Sequence, residues 1–200
     1  MSNARKKAFR NNRRKRKEQA KLQPEGDKLI FLKRLGKFHA LSEHNLDQLF
    51  GPDSKDIVQE LLKDGYIKKG AKPVKIRKEE IKYFVLTNSG QKFLKNKGEK
   101  IYSSNSARHD IIHATNVIES FKEDLDFYKH EKELRESCFR DCSRVDGAFF
   151  YPNGDIVYVE TVTRHYSSDK IEAKQNYVDT YGGDNASYIK FKEWSKGGLL

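Results

Sequence analysis

"RVDGAFFYPNGDIVYVETVTRHY", residues 144–166, holds the register on which the fold and its chemistry turn. Two runs of alternating β-branched and aromatic residues flank "PNGD", the signature of a hairpin. Asp146 opens the first arm and Glu160 sits late in the second. A two-residue Asn153-Gly154 turn would pair Tyr151 with Ile156, hence Gly147 with Glu160, and send Asp146 to the opposite face. A three-residue loop shifts the pairing by one and puts both carboxylates on one face. Sequence alone leaves both registers open.

Around this hairpin the pattern alternates between helix and strand. "NSARHDIIHATNVIESFKEDLDFY" carries Ile111, Ile112, Ala114, Val117, Ile118 and Phe121 at helical spacing. After the hairpin, "SSDKIEAKQNYVDTYG" reads as a helix capped by Ser168 or Asp169, with Ile171, Ala173, Tyr177 and Val178 partly inward. "ASYIKFKEW" reads as a last strand. Helix, strands, helix, strand implies an α/β layer over residues 99–200.

Residues 27–98 are of another kind. Leu29, Ile30, Leu32, Leu35 and Phe38 mark a first helix, and Ser42 caps a second with Leu46, Leu49 and Phe50 inward. "PDSKDIVQELLKDG" is a third helix, capped by Asp53 or Ser54, striped by Ile57, Val58, Leu61 and Leu62, and stopped by Gly65. "YIKKGAKPVKIRKEEIKYFVLT" predicts two strands around a basic loop, and "NSGQKFLKN" a closing helix. Three helices, a two-stranded wing and a trailing helix resemble a winged helix–turn–helix. The predicted fold class is therefore α+β, a winged helix followed by an α/β layer.

The formal charge of +11 is unevenly spread. Residues 1–21 hold ten Lys/Arg against one Glu, residues 27–98 balance at +7, and residues 99–200 at −4. Residues 1–26 are too poor in apolar side chains to order themselves, and read as a flexible arm for phosphates, with Arg13, Arg14, Lys15, Arg16 and Lys17 at its centre. In a winged helix the third helix enters the major groove. Lys55, Gln59 and Lys63 form one stripe there as base-reading candidates, beside Ser54, Asp56 and Glu60 as other outward positions. Lys68, Lys69, Lys72, Lys75 and Arg77 of the wing suit phosphate contacts. These features point to double-stranded DNA.

No apolar run is long enough to span a membrane, and the charged N-terminus lacks the apolar core of a signal peptide. A cytoplasmic protein is expected, with no membrane partner. Cys138 and Cys142 are a lone C-x3-C, read as reduced thiols. "HDIIH", His109 to His113, imitates a zinc-protease helix with Asp in place of the general-base Glu. It lacks a third ligand at a recognisable spacing, so a structural or interface role is assigned to both histidines.

A strand with Asp, a neighbouring strand with Glu-x-Lys, and helices on either side is the pattern of PD-(D/E)xK nucleases. In these, two acids hold Mg²⁺ and the lysine orients the attacking water. Asp146 and Glu160 match the acids, but Val162 stands where the lysine belongs; Lys170 or Lys174 could reach back from the next helix. The layout also resembles the replication-relaxation family of plasmid and mobile-element proteins, through "RHDIIHATNVI", "RVDGAFF" with "YVETVT", and "KIEAKQNYVDTY". That resemblance implies a winged helix before a nuclease-like domain, duplex DNA binding in support of replication, mobilisation or conjugation, and a replication or relaxase protein as partner.

The expectation is thus a DNA-binding protein of a plasmid or mobile element, with a nuclease-like half used for protein association and no cofactor. The rival is a Mg²⁺-dependent endonuclease or nickase using Asp146 and Glu160 with Lys170 or Lys174. A third class is a protein-binding adaptor without DNA contact. The oligomeric state is left open.

Overall fold

The computed structural model describes residues 24–134 and 142–192. The tail residues Arg13, Arg14, Lys15, Arg16 and Lys17, and also Cys138, lie outside the described residues. The architecture is α+β, as the pattern predicts.

The first helix, α1 (Gly26–Phe38), buries Phe31, Leu32, Leu35 and Phe38, a stripe at helical spacing. Ile30, expected inward, is 44% exposed, and Phe31 takes the buried position. A two-residue strand, β1 (Leu41–Ser42), leads into α2 (Glu43–Phe50). Ser42 caps α2 as expected: its hydroxyl accepts the Asn45 amide and the Asn45 side chain reaches back. After one 3₁₀ turn comes α3 (Ser54–Lys63), with Ile57, Val58 and Leu61 buried. Ser54 is not outward as predicted; it is buried and donates to Asp47 Oδ1.

The basic stretch forms four short strands rather than two: β2 (Ile67–Lys69), β3 (Val74–Ile76), β4 (Glu79–Ile81) and β5 (Tyr83–Leu86). β5 pairs with both β1 and β2, while β3 and β4 form a separate hairpin. Its turn residues Arg77 and Lys78 both take positive φ. β3 packs against a helix of the second half, α5 (Ala107–Phe121), so this hairpin is seated rather than free-standing. Between them runs α4 (Asn88–Asn96), capped by Thr87.

The second half is a four-stranded sheet in the order β6–β7–β8–β9, with β6 at Tyr128–His130, β7 at Gly147–Phe150, β8 at Ile156–Val162 and β9 at Ala186–Lys192. β6, β7 and β8 are antiparallel; β9 runs parallel to β8. A parallel neighbour needs a crossover, here α6 (Ser168–Tyr181). Its cap is Ser167, one residue earlier than expected.

The sheet is covered on both faces. Phe149 and Val159 pack with Ala114, Val117 and Ile118 of α5, in one cluster with Phe31, Leu35, Phe38 and Leu94 of the first half. Ala148 and Tyr158 face the other way, against Tyr177 and Val178 of α6. The alternation is the period-two rule of a strand.

The halves are also stitched by polar contacts. Arg34 donates to the Leu125 carbonyl, Lys37 to that of Tyr128, and Asn45 to the Thr115 hydroxyl. Among the described residues no helix is long and apolar enough to cross a membrane.

Candidate functional site

The hairpin loop sets the site. Tyr151 donates its amide to Asp155 and accepts that of Gly154, which closes a three-residue loop over 152–154. Gly154 sits at φ +92°, a conformation that suits glycine. Gly147 therefore pairs with Val159, not Glu160. One residue back, Asp146 lies opposite Glu160, on the face that looks toward α6. The Asp146 amide donates to Glu160 Oε2 at 2.8 Å, and the Thr161 amide donates to Asp146 Oδ2 at 2.8 Å.

Other elements complete the cluster. Lys174, on the buried side of α6, brings Nζ to 3.1 Å from Glu160 Oε1 and donates to the Arg144 carbonyl. Lys170 does not join it; its Nζ lies 3.9 Å from the centroid of the Tyr166 ring. The Tyr166 hydroxyl donates to Glu160 Oε1 at 2.9 Å. From α5, His109 Nε2 stands 3.3 Å from Asp146 Oδ2 and His113 Nδ1 3.7 Å. His113 also pairs with the hydroxyls of Thr161 and Tyr128, each at 2.9 Å. His109 adjoins Asp110, whose Oδ2 holds His39 Nδ1 at 2.7 Å and the Ser104 hydroxyl at 2.8 Å.

Burial makes these charges interdependent. Burial, and then the Asp146 charge, push Glu160 up to about 7. Burial works against the Asp146 charge too, but the hydrogen bond from His109 and the charges of His109, His113 and Lys174 hold its carboxyl well below the usual range. His109 is itself penalised by burial, yet its bonds to Asp110 and Asp146 raise it to about 11, which makes it a cation. Burial takes His113 down to about 4 and leaves it neutral. Lys174 is disfavoured by burial and raised by Glu160 and Asp146. Asp146 and Glu160 thus face two cations supplied by the protein.

That arrangement bears on Mg²⁺. The ion demands near-octahedral oxygen ligands and gives up water reluctantly. Here Glu160 Oε2 takes an amide, Glu160 Oε1 takes a hydroxyl and an ammonium, and Asp146 Oδ2 takes an amide and an imidazolium. Among the described residues no group of three or more His, Cys, Asp or Glu side chains is placed to hold a metal. Protein donors thus already bond both oxygens of Glu160 and the Oδ2 of Asp146.

Beside the cluster opens a cleft of about 490 Å³, walled by the start of α5, the segment after β8 and the first turns of α6. Asp146, His109 and Lys174 form its floor; Lys170, Arg108 and Tyr102 are on its walls.

The basic candidates fall elsewhere. Lys55, Gln59 and Lys63 are exposed along α3, as the stripe predicts. Lys55 and Gln59 share a groove of about 260 Å³ with Lys69, but Glu43 and Asp47 of α2 line it too. Lys68, Lys72, Lys75 and Arg77 are exposed, and Lys75 lies across the hairpin from Glu80.

Sequence reading missed His109, Tyr166 and the His39–Asp110 contact as parts of one network. The spacing of His109 and His113 was a usable signal, since residues four apart share a helix face. What no spacing shows is that this face meets Thr161 and Asp146. Comparison of the chain with protein-family models, curated proteins and solved structures returns no match.

Proposed function

We propose that the chain is a double-stranded DNA-binding protein whose first half, a winged helix, contacts the duplex and whose second half is a nuclease-like module without catalysis. One observation carries the reading: Lys55, Gln59 and Lys63 are exposed together on α3, with Lys55 and Gln59 sharing a groove with Lys69 of β2, in a segment balanced at +7. Gln reads adenine and Lys reads guanine or phosphate, and a basic face recruits the polyanion. The protein donors on both oxygens of Glu160 and on Asp146 Oδ2 favour a structural cluster over a metal-loaded one. The resemblance to plasmid and mobile-element proteins supports a role in replication or mobilisation, with a relaxase or replication protein as partner of the second half.

The test separates reading from positioning. Replacing Lys55 and Gln59 by Ala should relax sequence preference, while Lys72→Ala with Lys75→Ala should weaken every duplex about equally. Equal behaviour of the two pairs in a competition assay removes α3 as the reader.

A second reading, a metal-dependent DNA nuclease, draws on the meeting of Asp146, Glu160 and Lys174 at a cleft, which supplies the lysine that Val162 displaces. It requires Glu160 to exchange protein donors for a cation. Nicking of supercoiled DNA that needs Mg²⁺ or Mn²⁺ and vanishes in Asp146→Asn would establish it.

A further inference from the structure

We propose that the cleft over the carboxylate cluster binds one unpaired nucleotide of a DNA strand, through its phosphate and base, without a divalent cation. The inference rests on the DNA-binding reading for its class of ligand and assigns it a second site, away from α3. The cleft of about 490 Å³ lies within the size range of small-ligand sites, roughly 300–1,000 Å³. A duplex is far too wide to enter it; a nucleotide enters only out of the stack or from a single-stranded end.

Charge favours a phosphate there. A bare Asp146–Glu160 pair would repel one. With Lys174 on Glu160 and His109 on Asp146, the floor is neutralised. The walls then add Lys170 and Arg108 against the single acid Glu131. The first turns of α5 and α6 both border the space, and their N-terminal dipole ends favour an anion. The hydroxyls of Ser106, Ser143 and Thr163 are further donors.

Aromatic rings supply the rest. Tyr102 and Tyr166 both line the cleft, and Lys170 already lies over the Tyr166 ring. Base-on-ring stacking tolerates any sequence, and together with a basic groove it is how single strands are held.

The experiment uses the full chain in EDTA and two labelled DNAs: a blunt duplex, and the same duplex with a 5′-phosphorylated thymidine overhang. Fluorescence anisotropy should show the overhang binding about tenfold tighter. Lys170→Ala, an exposed position whose folding is checked by a melting curve, should reduce that preference while blunt-duplex affinity stays within about twofold. Lys72→Ala with Lys75→Ala should weaken both DNAs alike. Equal affinity of the parent for both DNAs overturns the cleft and leaves duplex binding intact. A preference seen only with added Mg²⁺ overturns the metal-free site. Binding of neither DNA rejects both readings together.

Discussion

His39 ends α1 at φ +65° and ψ −46°, with the Ala40 amide bonded back to the Phe38 carbonyl at 2.8 Å. This is a γ-turn of the rare, strained hand, worth about 1–3 kcal/mol against the fold. The same residue places a ring nitrogen 2.7 Å from buried Asp110, and leaving a buried acceptor short of a donor costs about 1–3 kcal/mol. The two effects are of one size, so a side-chain bond can hold a backbone that glycine would suit better. Lys174 answers a similar question for Glu160, which is fully buried. Glu160 titrates near 7, above its ordinary 4.5, so its burial opposes folding increasingly as pH rises through that window. Lys174→Met removes the compensating charge and moves Glu160 higher still. The variant should lose about 3 kcal/mol at pH 8 and markedly less at pH 5, where Glu160 is neutral. Urea unfolding at the two pH values checks it; an equal loss at both would mean that Lys174 acts by packing alone.

At the scale of elements, the hairpin β7–β8 shows how a loop of three residues governs a site. Its register follows from Gly154 at positive φ and puts both acids on the α6 face. At the other end of β7, Gly147 lets Tyr128 of β6 lie across the strand. A Cβ at Gly147 would come within 2.4 Å of the Tyr128 ring and hydroxyl. That ring is fixed: it stacks on Phe38 at 5.1 Å and its hydroxyl pairs with His113. Gly147→Ala should therefore destabilise by about 1–3 kcal/mol, the usual result of overpacking a filled core. Thermal denaturation gives the value, and a loss below a few tenths would show that β6 can slide. The β3–β4 hairpin is the contrasting case. Its lysines are exposed as the pattern predicts, yet one strand is docked on α5, which restricts how it could follow a DNA backbone.

At the scale of the molecule, charge divides the chain while the core joins it. The basic segment before residue 99 and the acidic one after it share a single cluster in which Phe38 packs on Tyr128 and Leu94 belongs with Val159. Arg34 and Lys37 add bonds to the Leu125 and Tyr128 carbonyls across the same boundary. Both halves should therefore unfold in one transition. Phe38→Ala, which removes a fully buried ring at the junction, should cost about 3–5 kcal/mol. Amide exchange in α3 and in β8 should accelerate together in that variant. Faster exchange in α3 alone would mean that the halves fold separately.

The positions of most elements follow from the sequence alone, because periodicity and caps are local. Ser42 and Gly65 bound their helices as read, and the stripes of α3 and α5 are buried as spaced, with Leu62 and Phe121 buried only in part. The α+β class and the exposed basic stripe are legible for the same reason. Ile30 is exposed and Ser54 buried against the pattern, since one step around a helix changes which side chain faces a neighbour that the sequence does not name. The site needed the tertiary structure. Whether Asp146 met Glu160 hung on one residue of loop register. Whether Lys174 reached Glu160 hung on how α6 crosses the sheet. The cations that occupy the carboxylates come from two helices on opposite faces of that sheet. Their attraction acts over a few ångströms of space between residues 109 and 174, and so only the packed chain could decide it.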